Sequence, residues 1–148
     1  MRLYLYLFLF LFLNCQSRIA GSNPVPKGKQ IPFEDKNHHP FSLTSKDFFM
    51  IDSNEKMKEV FRTIHQHTQG KRFSPIPLVR ENETYLIIKP VLKNTNDVSV
   101  ESIILDKDIL YIKVKAFENP DFRPESRFSP NILLKLTGRI IFKKIAIN

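Results

Sequence analysis

An alternation of apolar and more polar side chains within residues 109–117, from Leu110 to Ala116, is the feature that most constrains the fold. Leu110, Ile112, Val114 and Ala116 alternate there with Tyr111, Lys113 and Lys115. Successive side chains of a β-strand point to opposite faces, so the pattern predicts a half-buried antiparallel strand. The preceding residues 106–108, Asp-Lys-Asp, predict a hairpin loop from another strand over residues 98–105.

Further apolar stretches bounded by polar turns predict more strands. They cover residues 47–51, 76–80, 84–91, 131–136 and 139–147. Thr137 and Gly138 predict a tight turn between the last two of these strands.

One amphipathic helix is predicted after the strand at residues 47–51. Four apolar residues recur at the i, i+3, i+4 and i+7 spacing that lines one face of a helix: Met57, Val60, Phe61 and Ile64. Asp52 or Ser53 can cap its start, Glu55 is placed as in a capping box, and Gly70 follows its end. The fold class predicted for residues 47–148, as a single domain, is therefore α+β, a mainly antiparallel sheet or small sandwich with one helix packed on it.

The first fifteen residues predict a lipoprotein signal. Arg2 precedes an unbroken apolar run over residues 3–13, and Asn14 and Cys15 follow it, which is the order of a secretory signal peptide. As a helix the run would be about 16 Å long, too short for a hydrocarbon core of about 30 Å. Cys15, the one cysteine of the chain, would accept a diacylglyceryl group at its thiolate, and residues 1–14 would be removed. An ordinary secretory peptide and an uncleaved short anchor are the alternatives.

The sequence around the cysteine also carries a resemblance. Residues 12–15, Phe-Leu-Asn-Cys, resemble a relaxed form of the lipobox of bacterial lipoproteins, with Asn14 where Gly, Ala or Ser is preferred. The resemblance implies two or three acyl chains, such as palmitate, on Cys15, and an anchor of this kind is effectively permanent because one chain alone binds membranes only marginally. Gln16, rather than Asp, after the cysteine resembles lipoproteins of the outer membrane. We therefore expect a lipid-anchored protein of the bacterial cell envelope, at the outer membrane.

Residues 15–46 have the composition of a tether. Four prolines interrupt them, Pro24, Pro26, Pro32 and Pro40, among many Ser, Asn, Lys and Gln. Proline removes backbone donors and the segment offers little apolar surface to bury, so a flexible spacer is predicted. Phe33 and Phe41 could still pin parts of it to the domain.

The chain is basic, with 23 Lys and Arg against 15 Asp and Glu and a net charge of +8. A basic surface favours anionic lipids, an acidic protein or nucleic acid. The lysines are scattered and no Arg-rich or aromatic-basic run is present, so we expect no nucleic acid partner. Four lysines, Lys113, Lys115, Lys143 and Lys144, suggest a basic sheet face that could bind a small anionic ligand, a glycan or an envelope lipid.

No catalytic or metal-binding motif is visible in the sequence. It has no Gly-rich phosphate loop, no HExxH, no G-x-S-x-G and no pair of cysteines. His65 and His67 lie two residues apart on the predicted helix and so do not share a face, while His38 and His39 fall in the predicted tether. We therefore expect no metal, no cofactor and no enzymatic activity.

The order of elements over residues 48–147 resembles one family. Residues 115–120, Lys-Ala-Phe-Glu-Asn-Pro, end a predicted strand, and residues 127–136, Arg-Phe-Ser-Pro-Asn-Ile-Leu-Leu-Lys-Leu, open the next after a polar loop. This order is similar to the C-terminal domain of PrcB-type lipoproteins, and the resemblance implies an accessory subunit that stabilises a secreted protease complex. The Gly-Gly-Tyr-like turn usual in that family is missing, because residues 93–98 read Lys-Asn-Thr-Asn-Asp-Val.

We therefore expect a non-enzymatic, membrane-anchored lipoprotein that binds or stabilises another secreted or envelope protein, of which a protease is one candidate. The loops over residues 93–98 and 118–130 are the expected contact surface, since loops vary without disturbing the core. Aromatic and Arg side chains are enriched at interface hot spots, and the expected contact residues are Phe122, Arg123, Arg127 and Phe128. Alternatively, the phenylalanines pin the loop to the core and the arginines are merely solvated.

Overall fold

The computed structural model describes residues 26–68, 74–92, 94–122 and 130–148. The predicted signal peptide, Cys15 and the first part of the predicted tether lie outside the described residues. In chain order the described elements are β1 (Lys29–Gln30), β2 (Phe33–His39), β3 (Phe48–Ile51), α1 (Asn54–His67), β4 (Glu83–Ile88), β5 (Asp97–Asp106), β6 (Ile109–Phe117), β7 (Asn131–Thr137) and β8 (Lys144–Ile147).

The strands form two four-stranded sheets. The first sheet has the order β1-β5-β6-β8 and the second has the order β2-β7-β4-β3. The described pairings are antiparallel apart from that of β6 with β8, which is parallel. The predicted α+β class is confirmed, and the strands divide into two sheets.

An aliphatic core packs the two sheets against each other. The second sheet contributes Leu86, Ile88, Ile132, Leu134 and Leu136, and the first contributes Val98, Ile103, Leu110 and Ile112. Each side chain of this size contributes about 1.5–3 kcal/mol when fully buried. On β6 the predicted alternation is confirmed for Leu110 and Ile112, which are buried, and for Lys113 and Lys115, which are exposed.

Helix α1 covers the other face of the second sheet. Its predicted stripe, Met57, Val60, Phe61 and Ile64, is buried against Ile51, Tyr85, Ile87 and Leu133. The helix begins at the N-cap Ser53, whose hydroxyl accepts a hydrogen bond from the Lys56 backbone N–H at 3.3 Å. Because β4 and β7 lie between this helix and the first sheet, both of their faces are buried, and the domain has three layers.

The structure differs from the predicted flexible tether over residues 26–46. Strand β1 pairs with β5, and β2 forms one edge of the second sheet. Ile31, between the two strands, is 2% exposed. Strand β2 is an edge strand that pairs on one side only, and much of it faces water, so its sequence is polar. The alternation of apolar and polar residues by which a strand is predicted is therefore weak in β2.

Two strand predictions also need correction. Residues 74–80 have no regular secondary structure, although a strand was predicted over residues 76–80. Strand β8 is shorter than the predicted residues 139–147, because the chain first crosses from the second sheet to the first. Gly138 makes this turn with a φ of 100°, a conformation that favours glycine.

Candidate functional site

Within the two loops predicted as a contact surface, residues 94–98 and 118–122 are described and lie side by side. The side-chain amide of Asn96 donates to the Asn119 carbonyl at 3.0 Å, and its carbonyl oxygen accepts from the Asn119 backbone N–H at 2.6 Å. These two bonds join the segment before β5 to the segment after β6. We refer to residues 94–97 and 117–122 together as the loop end.

The carboxylate of Asp97 lies at the centre of the loop end and is 0% exposed. Its Oδ1 accepts from the Val98 backbone N–H at 2.8 Å and lies 2.6 Å from Nδ1 of His38. Its Oδ2 accepts from Nδ2 of Asn119 at 2.6 Å. A buried carboxylate is stable only when it is paired and hydrogen bonded, and each oxygen of Asp97 has such a partner.

His38 connects this carboxylate to a second one. Its Nδ1 faces Asp97, and its Nε2 lies 2.8 Å from Oδ2 of Asp35, whose side chain is 35% exposed. Burial alone would lower the pKa of His38, but the hydrogen bonds and charges of Asp35 and Asp97 outweigh it and raise the pKa. We call the side chains of Asp35, His38, Asp97 and Asn119 the His38 clasp. It joins β2, in the second sheet, to β5, in the first.

A β-bulge in β2 places Asp35 and His38 on the same face. Residues three apart on a regular strand point to opposite faces. In β2 the register with β7 shifts between Asp35 and Asn37, so that Asp35 lies opposite Leu134 and His38 opposite Ile132. Both of these β7 side chains belong to the core between the sheets. The bulge adds one residue, Lys36, to β2, and Asp35 and His38 therefore both point towards the first sheet.

An open cleft of about 390 Å³ lies beside the clasp. Besides the clasp residues it is lined by Lys36, Asn37, Phe117, Asp121 and Phe122. Phe117 is 38% exposed, Asp121 is exposed, and Phe122 is 9% exposed. Hydrogen bonds from the backbone N–H groups of Asp121 and Phe122 to Asn119 fold this segment over the cleft.

The predicted contact residues are only partly described. The burial of Phe122 agrees with the alternative in which this ring pins the loop to the domain. Arg123, Arg127 and Phe128 lie outside the described residues, as does Cys15. Phe117 and Asp121, at the same place, are both exposed.

The predicted basic face lies on the outer side of the first sheet. Lys144 pairs with Ile109 across the parallel β6 and β8, so it shares a face with Lys113 and Lys115. Lys113 forms an ion pair with Glu101 at 2.8 Å. Lys143 precedes β8 and lies 3.6 Å from Asp108.

A second histidine of β2 faces the helix. His39 lies opposite Asn131, and within the described residues its buried Nε2 has no hydrogen-bond partner. Its ring lies 5.2 Å from that of Phe41, which stacks on His67 at 4.0 Å. Burial, and then the charges of His38 and His67, lower the pKa of His39 to about 4. Both histidines had been assigned to the tether, because no sequence pattern links them to partners such as Asp97, 59 positions away.

No protein-family model, curated protein or solved structure matches the chain. Among the residues that the structure describes, no three His, Cys, Asp or Glu side chains form a metal site. No helix in that part of the chain is long and apolar enough to cross a membrane.

Proposed function

We propose that the chain is a membrane-anchored envelope lipoprotein that binds or stabilises another secreted or envelope protein through its loop end. The observation that carries the proposal is the joining of the two loops around Asp97 into one surface. A surface that is already ordered loses little conformational freedom on binding, which favours affinity. Phe117 and Asp121 give this surface an exposed aromatic ring beside an exposed carboxylate.

The state of His38 favours binding over catalysis. A general base needs a ring nitrogen within hydrogen-bond reach of a substrate proton. Both ring nitrogens of His38 already face carboxylates, at 2.6 and 2.8 Å. The clasp therefore serves better as a structural support of the loop end than as a general base acting on a substrate, and we propose a non-enzymatic function.

The proposed lipid anchor would keep this surface near the membrane. Thirteen residues lie between Cys15 and the start of β1 at Lys29. Even fully extended they would span at most about 50 Å. Partners would therefore be proteins of the same envelope, at the outer membrane in our proposal, and the PrcB-type resemblance suggests a secreted protease among them.

Site-specific photo-crosslinking in native membranes tests this function. We would replace Phe117 by a photo-reactive phenylalanine derivative in the full chain and, as a matched control, Ile141. Ile141 is 75% exposed and lies just before β8, at the opposite end of β6 from Phe117. We expect one recurrent envelope protein to crosslink from position 117 and not from position 141. Equal crosslinking from both positions, or none from position 117, would contradict the proposal. The mass of Cys15 in the same preparation tests the lipid anchor.

A second candidate function uses the basic face, because the register places Lys113, Lys115 and Lys144 together. An anionic polysaccharide such as alginate is a suitable probe for the full chain in a neutral detergent. If this face binds anions, we expect weaker binding in Lys115→Gln and Lys144→Gln than in Lys58→Gln, an exposed helix lysine that serves as control. Binding should also fall sharply at high salt, because exposed charges are screened. Binding that salt leaves unchanged would exclude this function.

A further inference from the structure

The His38 clasp contains one imidazole between two carboxylates. Only the doubly protonated ring has an N–H for both Asp97 and Asp35, because a neutral imidazole carries a single N–H. The number of protons on His38 therefore decides whether both hydrogen bonds of the ring can exist.

The two carboxylates do not tolerate loss of an N–H donor equally. Asp97 is 0% exposed, so water could not replace a hydrogen bond that its carboxylate lost. The side chain of Asp35 is 35% exposed and belongs to an edge strand, so water can replace the lost hydrogen bond. When the ring loses one proton, the remaining N–H should stay on Nδ1 with Asp97. The Nε2 lone pair then faces the Asp35 carboxylate and repels it.

We propose that His38 is a proton-controlled clasp that holds Asp35 at the cleft of the loop end at low pH and releases it at high pH. The proposal deepens the proposed function, on which it rests for its consequence, by naming how the contact surface is regulated. Release of Asp35 changes the charge and width of the cleft beside Phe117 and Asp121, whereas Asp97 and Asn119 continue to hold the two loops together.

Among the residues that the structure describes, few other charged groups lie near His38. On β2 these are Asp35, Lys36, whose ammonium group pairs with Glu34, and His39. The first sheet contributes Asp97, and the segment after β6 contributes Asp121 in the cleft. Histidine is the side chain that ordinarily titrates between pH 5 and 8, and His39 stays neutral down to about pH 4. Since the two carboxylates raise the pKa of His38, release should occur above the ordinary histidine value of 6.5.

Histidine NMR of the full chain in detergent micelles tests the clasp without a partner. With ¹³C,¹⁵N-labelled histidine, we expect the His38 ring to titrate above pH 6.5 and its high-pH form to carry the proton on Nδ1. Asp35→Asn should lower the pKa of His38 by about 1, because it removes an adjacent opposite charge. Asp121→Asn is the matched control. It removes a carboxylate from the same cleft but none that bonds to His38, so the pKa should change far less.

Three results would overturn the clasp: a His38 pKa at or below 6.5, an Nε2–H tautomer at high pH, or equal effects of the two Asp variants. Regulation of the contact surface is tested separately, by the crosslinking yield from position 117 between pH 6 and 9. In the chain that carries only the photo-reactive residue at position 117, we expect this yield to follow the titration of His38. When Asp35→Asn is added, the yield should be independent of pH. A yield that does not change with pH when Asp35 is present would overturn the regulation. Failure of all crosslinking would contradict the proposed function, and the NMR result would still decide the clasp.

Discussion

At the scale of single residues, two adjacent histidines of β2 have opposite environments. His38 faces two carboxylates, which raise its pKa. His39 faces the helix side, its buried Nε2 has no hydrogen-bond partner in the part of the chain that the structure describes, and its pKa is lowered to about 4. The alternation of side chains along a strand is enough to produce this contrast. Protonation is therefore favoured at His38 and opposed at His39.

Replacing His39 by Phe should stabilise the domain in acid. The unfolded chain takes up a proton on His39 near pH 6.5, and the folded chain does so only near pH 4. The folding stability associated with this ring is therefore present above pH 6.5 and lost as the pH falls towards 4. We expect urea unfolding of the full chain at pH 4.5 to show His39→Phe more stable than the native chain by about 2 kcal/mol. The advantage should shrink at pH 8, and an equal advantage at both pH values would contradict this explanation.

At the scale of secondary-structure elements, sequence and structure agree best where a pattern is local. The stripe of α1 and the alternation of β6 are each visible within one segment, and both predictions are confirmed apart from Ala116, which is exposed. Strand β2 escaped prediction because it is a polar edge strand with a bulge. The clasp escaped it as well, since 59 positions separate His38 from Asp97 and no local pattern connects them. The pairing of distant loops depends on the sheet order, which single-segment patterns do not contain.

The short strand β1 offers a test of the part of the chain that was predicted to be a tether. A Cβ on Gly28 would lie 2.1 Å from the Leu105 carbonyl oxygen of β5, closer than any side chain can approach. We expect Gly28→Ala to displace β1 and to speed hydrogen exchange of the Ile31 amide, which donates to the Ile103 carbonyl at 2.9 Å. Lys27→Ala, at an exposed neighbour, is the control. Unchanged protection of Ile31 in Gly28→Ala would show that β1 does not pack in this way.

At the scale of the whole molecule, the clasp links the two sheets at the end of the sandwich where the two candidate loops meet. The opposed titrations of His38 and His39 therefore act on the stability of the entire domain. For His38, whose folded pKa is raised, the stabilisation is present below pH 6.5 and lost as the pH rises through the folded value. For His39, whose folded pKa is lowered, the stabilisation is present above pH 6.5 and is lost as the pH falls towards 4.

The native chain should consequently be most stable near pH 6.5. We expect the free energy of unfolding of the full chain, measured in urea at pH 4.5, 6.5 and 8.5, to be highest at the middle value. His39→Phe should remove much of the decrease in the free energy of unfolding between pH 6.5 and 4.5. Asp35→Asn should reduce the decrease between pH 6.5 and 8.5. A free energy that rises steadily from pH 4.5 to 8.5 would mean that the clasp contributes nothing measurable to stability.

The most direct test of the central claim, that the loop end binds an envelope protein, compares two exposed apolar residues at opposite ends of the sandwich. Phe117 is 38% exposed at the loop end, and Ile141 is 75% exposed at the far end. The protein that copurifies with the native chain from crosslinked membranes would be quantified in Phe117→Ser and in Ile141→Ser. We expect a loss of about tenfold or more in the first variant, as for an aromatic residue at the centre of an interface, and little change in the second. Equal recovery in both variants would contradict the assignment of the loop end as the binding surface.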